Sequence, residues 1–384
     1  MKKILFLIDN LGGGGAEKVL CDIVKNLDKS KYDITVCTVW DTGIYRDEIK
    51  NNVKYTTLFK ELKESNSIYK KVINFIRQRI RVFITQKVDS KLLYRLLIRK
   101  QYDIEIAFLE VLATKIISGS NNKKSKKYAW VHTDLEKHNW PKKIYGNIAK
   151  QRDAYEKFDK IMFVSDDAKK GFERKFNIRN RLYVQYNPID EKAILNLSIE
   201  QIDDIELNSK FRIITVGRLV EQKGYDRLLK VHNKLIQEGF CYELWILGDG
   251  NKLSEYKKFI LEHNLSDTVK LLGFKKNPYK YIKQADLFIC SSRTEGFSLV
   301  IAEALVIGIP VISTNCSGPV ELLDNGLYGK LVKNNEESIY KGIKEILNDK
   351  LIYNYYKDMA KKRGQHFKLR QRITEIEKLL DEEE

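Results

Sequence analysis

The sequence predicts an α/β protein built from two doubly wound domains with parallel sheets. Short, nearly continuous apolar runs alternate with longer helical patterns, and this alternation occurs twice along the chain. Continuous apolar runs are typical of strands that helices cover on both faces, and strands separated by helices form parallel sheets. With 384 residues, the chain is long enough for two domains of ordinary size.

The expected strands form two series of six. The first series is Ile4–Ile8, Ile34–Val39, Ile104–Phe108, Tyr128–Val131, Ile161–Val164 and Leu182–Gln185. The second series is Phe211–Val216, Tyr242–Leu247, Val269–Leu272, Leu287–Cys290, Pro310–Ser313 and Lys330–Val332. Residues 190–210 between the two series are polar and acidic. We therefore expect one domain over 1–188, a second over 189–365, and a C-terminal helix over 366–384 that packs back on the first domain.

The composition excludes several classes of protein. Apolar residues make up 43% and charged residues 32%, which argues against a disordered chain. No stretch of about 18 uncharged apolar residues occurs, so no spanning helix is expected. The five cysteines are odd in number and lack C-x-x-C spacing, which indicates buried thiols in a reducing compartment. Basic residues exceed acidic ones by 17, which favours anionic partners.

Segment 67–100 concentrates this charge, with ten basic residues and one acidic residue. Its apolar residues include Val72, Ile76, Ile80 and Phe83, at helical spacing. The pattern is that of a basic amphipathic helix. Two interpretations stay open: a surface helix with a solvated charged face, or a patch that binds an anionic membrane surface or acceptor.

A glycine-rich loop follows the first expected strand. Gly12–Gly15 precede a helical pattern, and glycines let backbone N–H groups approach an anion near a helix N-terminus. The loop departs from a dinucleotide fingerprint, because Glu17 stands where the third glycine belongs. We expect a loop that faces a phosphate or an acceptor, with a tight turn without a ligand as the alternative.

Two cations follow the first expected strand of the second domain. Arg218 comes directly after Gly217, and Lys223 lies five residues further on. Ligands of open α/β sheets bind at this carboxyl edge, where two cations could neutralise a diphosphate. Asp249 and Gly250 form a turn at the same edge. A solvated surface without a ligand is the alternative.

The most specific pattern is a pair of glutamates, Glu295 and Glu303, with seven residues between them. A helix expected from Ser298 places Glu295 in the preceding loop and Glu303 in the second turn. Eight helical steps cover about 12 Å, roughly the reach from a sugar ring to a ribose across a diphosphate. The N–H groups of Phe297, Ser298 and Leu299 would point at that diphosphate. Two unrelated glutamates are the alternative.

Together these motifs resemble the family-4 retaining glycosyltransferases, which have the GT-B fold. The matching segments follow the family order: GGGGAEKVL at 12–20, VHTD at 131–134, FVSDDAKKGF at 163–172, NPID at 187–190, VGRLVEQKGYDRLL at 216–229, LGDG at 247–250 and EGFSLVIAEAL at 295–305. The resemblance implies two Rossmann-like domains that face each other across a cleft. The first would bind the acceptor and the second the nucleotide-sugar.

The resemblance also implies roles for individual residues. Arg218 and Lys223 match the pair that holds the donor diphosphate, and Glu303 matches the residue that binds the ribose hydroxyls. Glu295 would lie beside the donor sugar, and His132 near the reacting centre. The remaining implied ligand contacts are Gly14, Gly15, Gly217, Asp249, Gly250, Phe297, Ser298 and Leu299. The chain departs from the family pattern at Thr133-Asp134-Leu135 and at Gln222.

The implied activity is metal-independent transfer of a hexose from a UDP-sugar to a lipid-linked or cell-surface glycan. The enzyme would be cytoplasmic and bind the inner face of the membrane through segment 67–100. No cofactor or metal is expected, since the sequence lacks D-x-D and the histidines lack metal-ligand spacing. The alternatives are a nucleotide-sugar epimerase on the same fold, a dinucleotide-dependent oxidoreductase and, on charge alone, a nucleic-acid-binding protein.

Overall fold

The computed structural model describes residues 1–62, 67–137, 139 and 142–382. They form two compact units: Met1–Pro188 with Arg370–Glu384 make the first unit, and Ile189–Leu369 make the second. In each unit the first strand lies inside an all-parallel sheet, and the strand order reverses there. That order is the doubly wound arrangement expected from the sequence.

The sheet of the first unit has seven strands in the order β3-β2-β1-β4-β5-β6-β7. The strands are β1 Lys2–Ile8, β2 Tyr32–Trp40, β3 Lys54–Phe59, β4 Ile104–Ala107, β5 Lys126–Val131, β6 Lys160–Phe163 and β7 Leu182–Val184. Its helices are α1 Gly15–Asn26, α2 Arg46–Asn52, α3 Ile68–Lys87, α4 Ser90–Leu97, α5 Leu112–Ile117, α6 Lys142–Tyr145, α7 Ile148–Tyr155 and α8 Asp166–Phe176. Leu5, Ala129 and Phe163 lie in its buried core.

The second unit repeats the plan with six strands in the order β10-β9-β8-β11-β12-β13. The strands are β8 Phe211–Val216, β9 Tyr242–Leu247, β10 Val269–Gly273, β11 Leu287–Cys290, β12 Val311–Thr314 and β13 Lys330–Val332. Its helices are α9 Glu191–Ser198, α10 Tyr225–Gln237, α11 Leu253–Glu262, α12 Tyr279–Lys283, α13 Leu299–Ile307, α14 Ser317–Leu322, α15 Glu336–Asn348 and α16 Lys350–Gly364. Each strand predicted in this half of the chain is present.

Strand β3 is absent from the strands predicted for the first unit. It pairs with β2 alone and forms the edge of the sheet. Its side chains alternate between exposed and half-buried over its first four residues. Three of its six residues have charged or hydroxyl side chains: Lys54, Thr56 and Thr57. An edge strand has one neighbour and tolerates this polar pattern, which lacks the continuous apolar run of a central strand.

The chain returns to the first unit through helix α17, Leu369–Asp381. Ile373, Ile376 and Leu380 are its buried residues. The ammonium groups of Lys2 and Lys160 donate to carbonyl oxygens in its last turn, at 3.3 and 3.1 Å. Cations at a helix C-terminus satisfy carbonyl groups that have no partner within the helix.

Segment 67–100 forms two helices, α3 and α4, and α3 carries its apolar stripe outward. Val72, Ile76, Ile80 and Phe83 are each at least half exposed. The helix is held at its C-terminal end, where the Lys115 ammonium donates to the carbonyls of residues 85 and 86 at 3.0 and 2.7 Å. Neither α3 nor any other helix in the described ranges is long and apolar enough to cross a membrane.

Candidate active site

Arg218 lies at the point where the strand order of the second sheet reverses. It follows β8, its side chain is exposed, and the described part of the chain offers it no ion-pair partner. The backbone beside it is closely packed: a Cβ atom at Gly217 would lie 2.8 Å from the Tyr225 hydroxyl, and one at Gly248 would lie 2.0 Å from the Gly217 carbonyl oxygen. These glycines let the ends of β8 and β9 pack closely against each other. The Arg218 guanidinium is exposed, so an anion can reach it from solvent.

Lys223 ends a short 3-10 helix after β8 and forms an ion pair with Glu295, which follows β11. The Lys223 Nζ to Glu295 Oε1 distance is 2.6 Å, and the Ser292 hydroxyl donates to the same oxygen at 2.6 Å. Burial is the largest single effect and disfavours the charged lysine. The charge and hydrogen bond of Glu295, with smaller contributions from Tyr225 and Cys290, together outweigh it, so the pKa of Lys223 lies above its ordinary value. Lys223 is therefore a fixed cation at the sheet edge.

Gln222 joins the loop that carries Lys223 to the loop that carries Glu295. Its side-chain amide donates to the Thr294 carbonyl at 2.9 Å, and its backbone carbonyl accepts the Arg293 N–H at 2.7 Å. Arg293 adds two hydrogen bonds to the Asp226 carboxylate, at 2.8 and 2.7 Å. The departure from the family pattern at Gln222 thus has a structural consequence, since its side chain helps to fix the Lys223–Glu295 geometry.

Helix α13 begins directly after this loop. Its N-cap residue Ser298 has φ of 69°, a left-handed conformation that is uncommon for a residue with a side chain. Phe297 and Ser298 are buried, whereas Leu299, the first helical residue, is half-buried. The N–H groups of a first helical turn lack acceptors within the helix, so this turn can bind an anion.

Glu303 lies in the second turn of α13, as the sequence predicts. The side chain is 4% exposed, and one carboxylate oxygen accepts a hydrogen bond from the Tyr279 hydroxyl at 3.1 Å. That hydroxyl provides a partner for an ionisable group in an apolar run. Tyr279, on α12, was not recognised from the sequence, because nothing in its local pattern distinguishes it from a core aromatic residue.

Asp249 and Gly250 follow β9, the neighbour of β8. The Asp249 carboxylate accepts the Gly250 N–H at 2.7 Å, and the Asp249 carbonyl accepts the Leu219 N–H at 2.8 Å. A Cβ atom at Gly250 would lie 2.4 Å from the Leu219 carbonyl oxygen. This turn therefore packs on the segment after Arg218 and supports the same edge of the sheet.

In the first unit, His132 follows β5, and a buried glutamate holds its backbone. Glu110, which follows β4, accepts the N–H groups of His132 and Thr133 at 2.5 and 2.7 Å and the Thr133 hydroxyl at 3.1 Å. Burial lowers the pKa of His132 to about 3, so its ring is neutral near pH 7. The ring Nε2 is buried and has no hydrogen-bond partner among the described residues. His132 is thus a neutral group that can hydrogen-bond to a ligand.

The glycine loop lies at the same edge, after β1. Gly14 is the N-cap of α1, Gly13 has φ of 98°, and the Asn10 side chain accepts the Gly12 N–H at 2.8 Å. A Cβ atom at Gly14 would lie 2.4 Å from a carboxylate oxygen of Glu17. An acidic side chain therefore already stands beside the start of this helix, and Gly14 and Gly15 are less suited to an anion than the start of α13.

Asp9, between β1 and this loop, is another residue that the sequence patterns did not identify. Its carboxylate accepts the Ala113 N–H at 3.0 Å and the Leu112 N–H at 3.4 Å. Burial raises the pKa of Asp9 to about 6, against the opposing effect of these two hydrogen bonds. Burial also raises the pKa of Glu110. Two carboxyl groups with raised pKa values thus occur near the edge where His132 lies.

The predicted residues divide between the two units. Arg218, Lys223, Glu295 and Glu303 occur along one edge of the second sheet, together with the other predicted contacts there: Gly217, Asp249, Gly250, Phe297, Ser298 and Leu299. His132, Gly14 and Gly15 belong to the first unit, at the carboxyl edge of its sheet.

Two protein-family models match the chain in sequence. The model described as Glycosyltransferase Family 4 matches residues 13–193, and the model described as Glycosyl transferases group 1 matches residues 199–365. The chain is a family-4 glycosyltransferase of the GT-B fold. The family predicted from the motifs is therefore confirmed, and the enzyme transfers a glycosyl group.

Among characterised relatives, this glycosyltransferase is 29% identical over 383 residues to a Campylobacter jejuni protein, with 96% of each chain covered. That protein is named N-acetylgalactosamine-N,N'-diacetylbacillosaminyl-diphospho-undecaprenol 4-alpha-N-acetylgalactosaminyltransferase. The amylovoran biosynthesis glycosyltransferase AmsK of Erwinia amylovora is 35% identical over 33% of each chain.

Solved structures support the same fold. HepE of Anabaena, in complex with UDP and glucose, superposes with a TM-score of 0.76 at 18% identity, with both chains covered completely. TarM of S. aureus, in a complex that contains UDP, gives a TM-score of 0.75 at 13% identity, again over the full length of both chains. At these identities the comparison identifies the fold alone.

Proposed function

We propose that this glycosyltransferase transfers a hexose or N-acetylhexosamine from a UDP-sugar to a lipid-linked glycan, with retention of the anomeric configuration. The observation that carries the proposal is the edge of the second sheet, where Arg218, Lys223 and the start of α13 supply positive charge beside Glu295 and Glu303. The UDP and glucose bound in HepE, a protein of the same fold, support a nucleotide-sugar of this class.

The proposed chemistry follows from these charges. The bond between the anomeric carbon and the β-phosphate oxygen breaks, and its electron pair stays on the departing UDP. Arg218 and Lys223 stabilise the negative charge that develops there, together with the N–H groups of Phe297–Leu299. Two cations can do this without a metal ion. The proposed reaction is therefore metal-independent.

The acceptor completes the proposed exchange. Its hydroxyl oxygen bonds to the anomeric carbon on the face that UDP leaves, and its proton passes to the departing phosphate oxygen. No protein base is then needed, which agrees with a neutral His132 whose pKa of about 3 makes it a poor proton acceptor near pH 7. His132 instead offers a hydrogen bond to the reacting sugar.

The proposed acceptor class rests on the Campylobacter jejuni relative, whose name specifies a diphospho-undecaprenol acceptor. A lipid-linked acceptor places the enzyme at a membrane surface. Helix α3 offers a surface for this, because its apolar stripe is exposed and Arg77 and Arg79 are exposed beside it. We propose that α3 docks on anionic lipid at the inner face of the membrane. Each basic residue near such a surface contributes about 1 kcal/mol.

A thermal-shift panel of UDP-, GDP-, ADP- and dTDP-sugars tests the proposed donor. A ligand at a hundredfold excess over its Kd stabilises the folded protein by about 2.7 kcal/mol. We expect the largest rise in melting temperature with a UDP-sugar and no rise for an Arg218→Ala variant. A response to none of the four nucleotides would overturn the proposed donor class.

Vesicle sedimentation tests the proposed membrane surface. We expect pelleting at low salt with vesicles that contain phosphatidylglycerol, and none with pure phosphatidylcholine. Ile76→Ser with Phe83→Ser should abolish pelleting, and a matched pair on the second unit, Ile199→Ser with Leu351→Ser, should not. Arg81 is unsuitable for this test, since it donates to the Lys60 carbonyl at 2.9 Å. Equal pelleting of the two double variants would contradict the proposal that α3 binds the membrane.

A further inference from the structure

A basic pocket lies in the first unit, at the end of the sheet opposite the one where His132 lies. It has a volume of about 320 Å³ and lies where β5 begins. Six lysines line it: Lys91, Lys123, Lys124, Lys126, Lys127 and Lys157. His132 follows the other end of β5, whose six residues span roughly 20 Å. The pocket is therefore separate from the sugar-transfer residues of this unit.

The charge in this pocket is strongly unbalanced. Asp159 is the single acidic residue that lines it, and one of its carboxylate oxygens accepts the backbone N–H of Lys127 at 2.7 Å. None of the six ammonium groups forms an ion pair within residues 1–62, 67–137 and 142–382. The pocket therefore presents an excess of positive charge, which attracts anions.

The pocket is built by fixed backbone rather than by mobile side chains alone. Lys127 Nζ donates to the carbonyls of Asn122 and Ser125 at 3.0 and 2.9 Å, which pins the turn before β5. A Cβ atom at Gly119 would lie 2.0 Å from the Ser90 carbonyl oxygen, so only glycine lets the start of α4 approach this turn. That approach brings Lys91 to the pocket. A site formed in advance loses less entropy when it binds.

We infer that this pocket binds the phosphate group of a second ligand, distinct from the sugar donor. Ammonium groups suit phosphate oxygens, which accept several charge-assisted hydrogen bonds at once, and the pocket also presents Ser118 and Ser120. The phosphate can come from a soluble diphosphate or from a phospholipid headgroup. Leu92 and Leu96, on α4 next to Lys91, are about half exposed and could contact an acyl chain.

Calorimetry with two probes tests this inference on the full-length protein. The probes are inorganic pyrophosphate and a short-chain phosphatidic acid below its micellar concentration. Both are titrated into the Arg218→Ala, Lys223→Ala background, which removes the cations of the donor site. The probe that binds more tightly identifies the source of the phosphate. A soluble lipid monomer also keeps the result independent of vesicle binding by α3.

The pocket variant is Lys124→Glu with Lys126→Glu, and the matched control is Lys29→Glu with Lys257→Glu, two exposed lysines outside the pocket with the same change in net charge. We expect at least 10-fold weaker binding in the pocket variant and less than a 2-fold change in the control. If the charge reversal disturbs folding, the neutral double variant Lys124→Gln with Lys126→Gln replaces it, and its binding should also be weaker than that of the control. Failure of both probes to bind, or equal losses in pocket variant and control, would overturn the inference.

Discussion

Substitutions in the Lys223–Glu295 ion pair should change the stability of the second unit and the activity of the enzyme in different ways. Lys223→Met removes a cation whose side chain is 17% exposed. Glu295, whose side chain is 9% exposed, then keeps the Ser292 hydroxyl as its one side-chain donor among the described residues. Removing one partner of a buried pair costs about 3–5 kcal/mol. Because both groups keep some contact with water, we expect about 3 kcal/mol.

Adding Glu295→Gln to Lys223→Met removes the unpaired charge. We therefore expect the double variant to regain most of the lost stability and to lie within about 1 kcal/mol of the wild type. The activity should not recover. The departing diphosphate has lost a cation, and loss of one such group costs about 100-fold or more in kcat.

Hydrogen exchange measured by mass spectrometry gives the stability of this unit separately from the first. The slowest amides of Phe211–Val216 and Leu287–Cys290 report the free energy of opening the second sheet. The exposed pair Lys230–Glu336, 3.9 Å apart, is the matched control, and Lys230→Met there should cost less than about 1 kcal/mol. A similarly small cost for Lys223→Met, or additive losses in the double variant, would refute the coupling.

Three further predictions follow from the site. Gln222→Ala should lower kcat/KM about 2- to 10-fold in steady-state kinetics, because the hydrogen bond to the Thr294 carbonyl is lost. Gln222→Glu should not restore kcat/KM, because a carboxylate cannot donate to that carbonyl. Glu303→Ala should weaken donor binding about 10-fold or more in calorimetry, since charged hydrogen bonds contribute about 1.5–3 kcal/mol, while Tyr279→Phe should change it less. The folded-state pKa of Asp9, about 6, lies above its ordinary value of 3.8. Its protonated form therefore stabilises the fold at low pH, this contribution is lost as the pH rises through 6, and Asp9→Asn should flatten that part of the thermal-stability profile.

The fold was largely predictable because most of its strands are covered on both faces and read as apolar runs. Strand β3 carried no such signal, since an edge position permits Lys54, Thr56 and Thr57. The apolar stripe of α3 was also predicted, but not the side to which it faces. Periodicity identifies a stripe, whereas its exposure depends on tertiary contacts of the helix, such as those that Lys115 makes at its C-terminal end.

The candidate site was predictable where short motifs carry it. Arg218, Lys223, Glu295 and Glu303 occur within local patterns, and the structure places them along one sheet edge. Glu110 was missed although it is, like Glu303, an ionisable group in an apolar run. The contacts of Gln222 could not be predicted, since its partner on the other loop is 72 residues away in sequence.

The most direct test of the proposed function is the anomeric configuration of the transferred sugar. The purified enzyme is incubated with a UDP-sugar and a polyprenyl-diphosphate-linked acceptor, and the product is analysed by nuclear magnetic resonance. If UDP leaves from the face on which the acceptor bonds, an α-linked donor gives an α-linked product. A β-linked product would contradict the retaining mechanism, and release of free sugar without any linked product would contradict transfer to a lipid-linked acceptor.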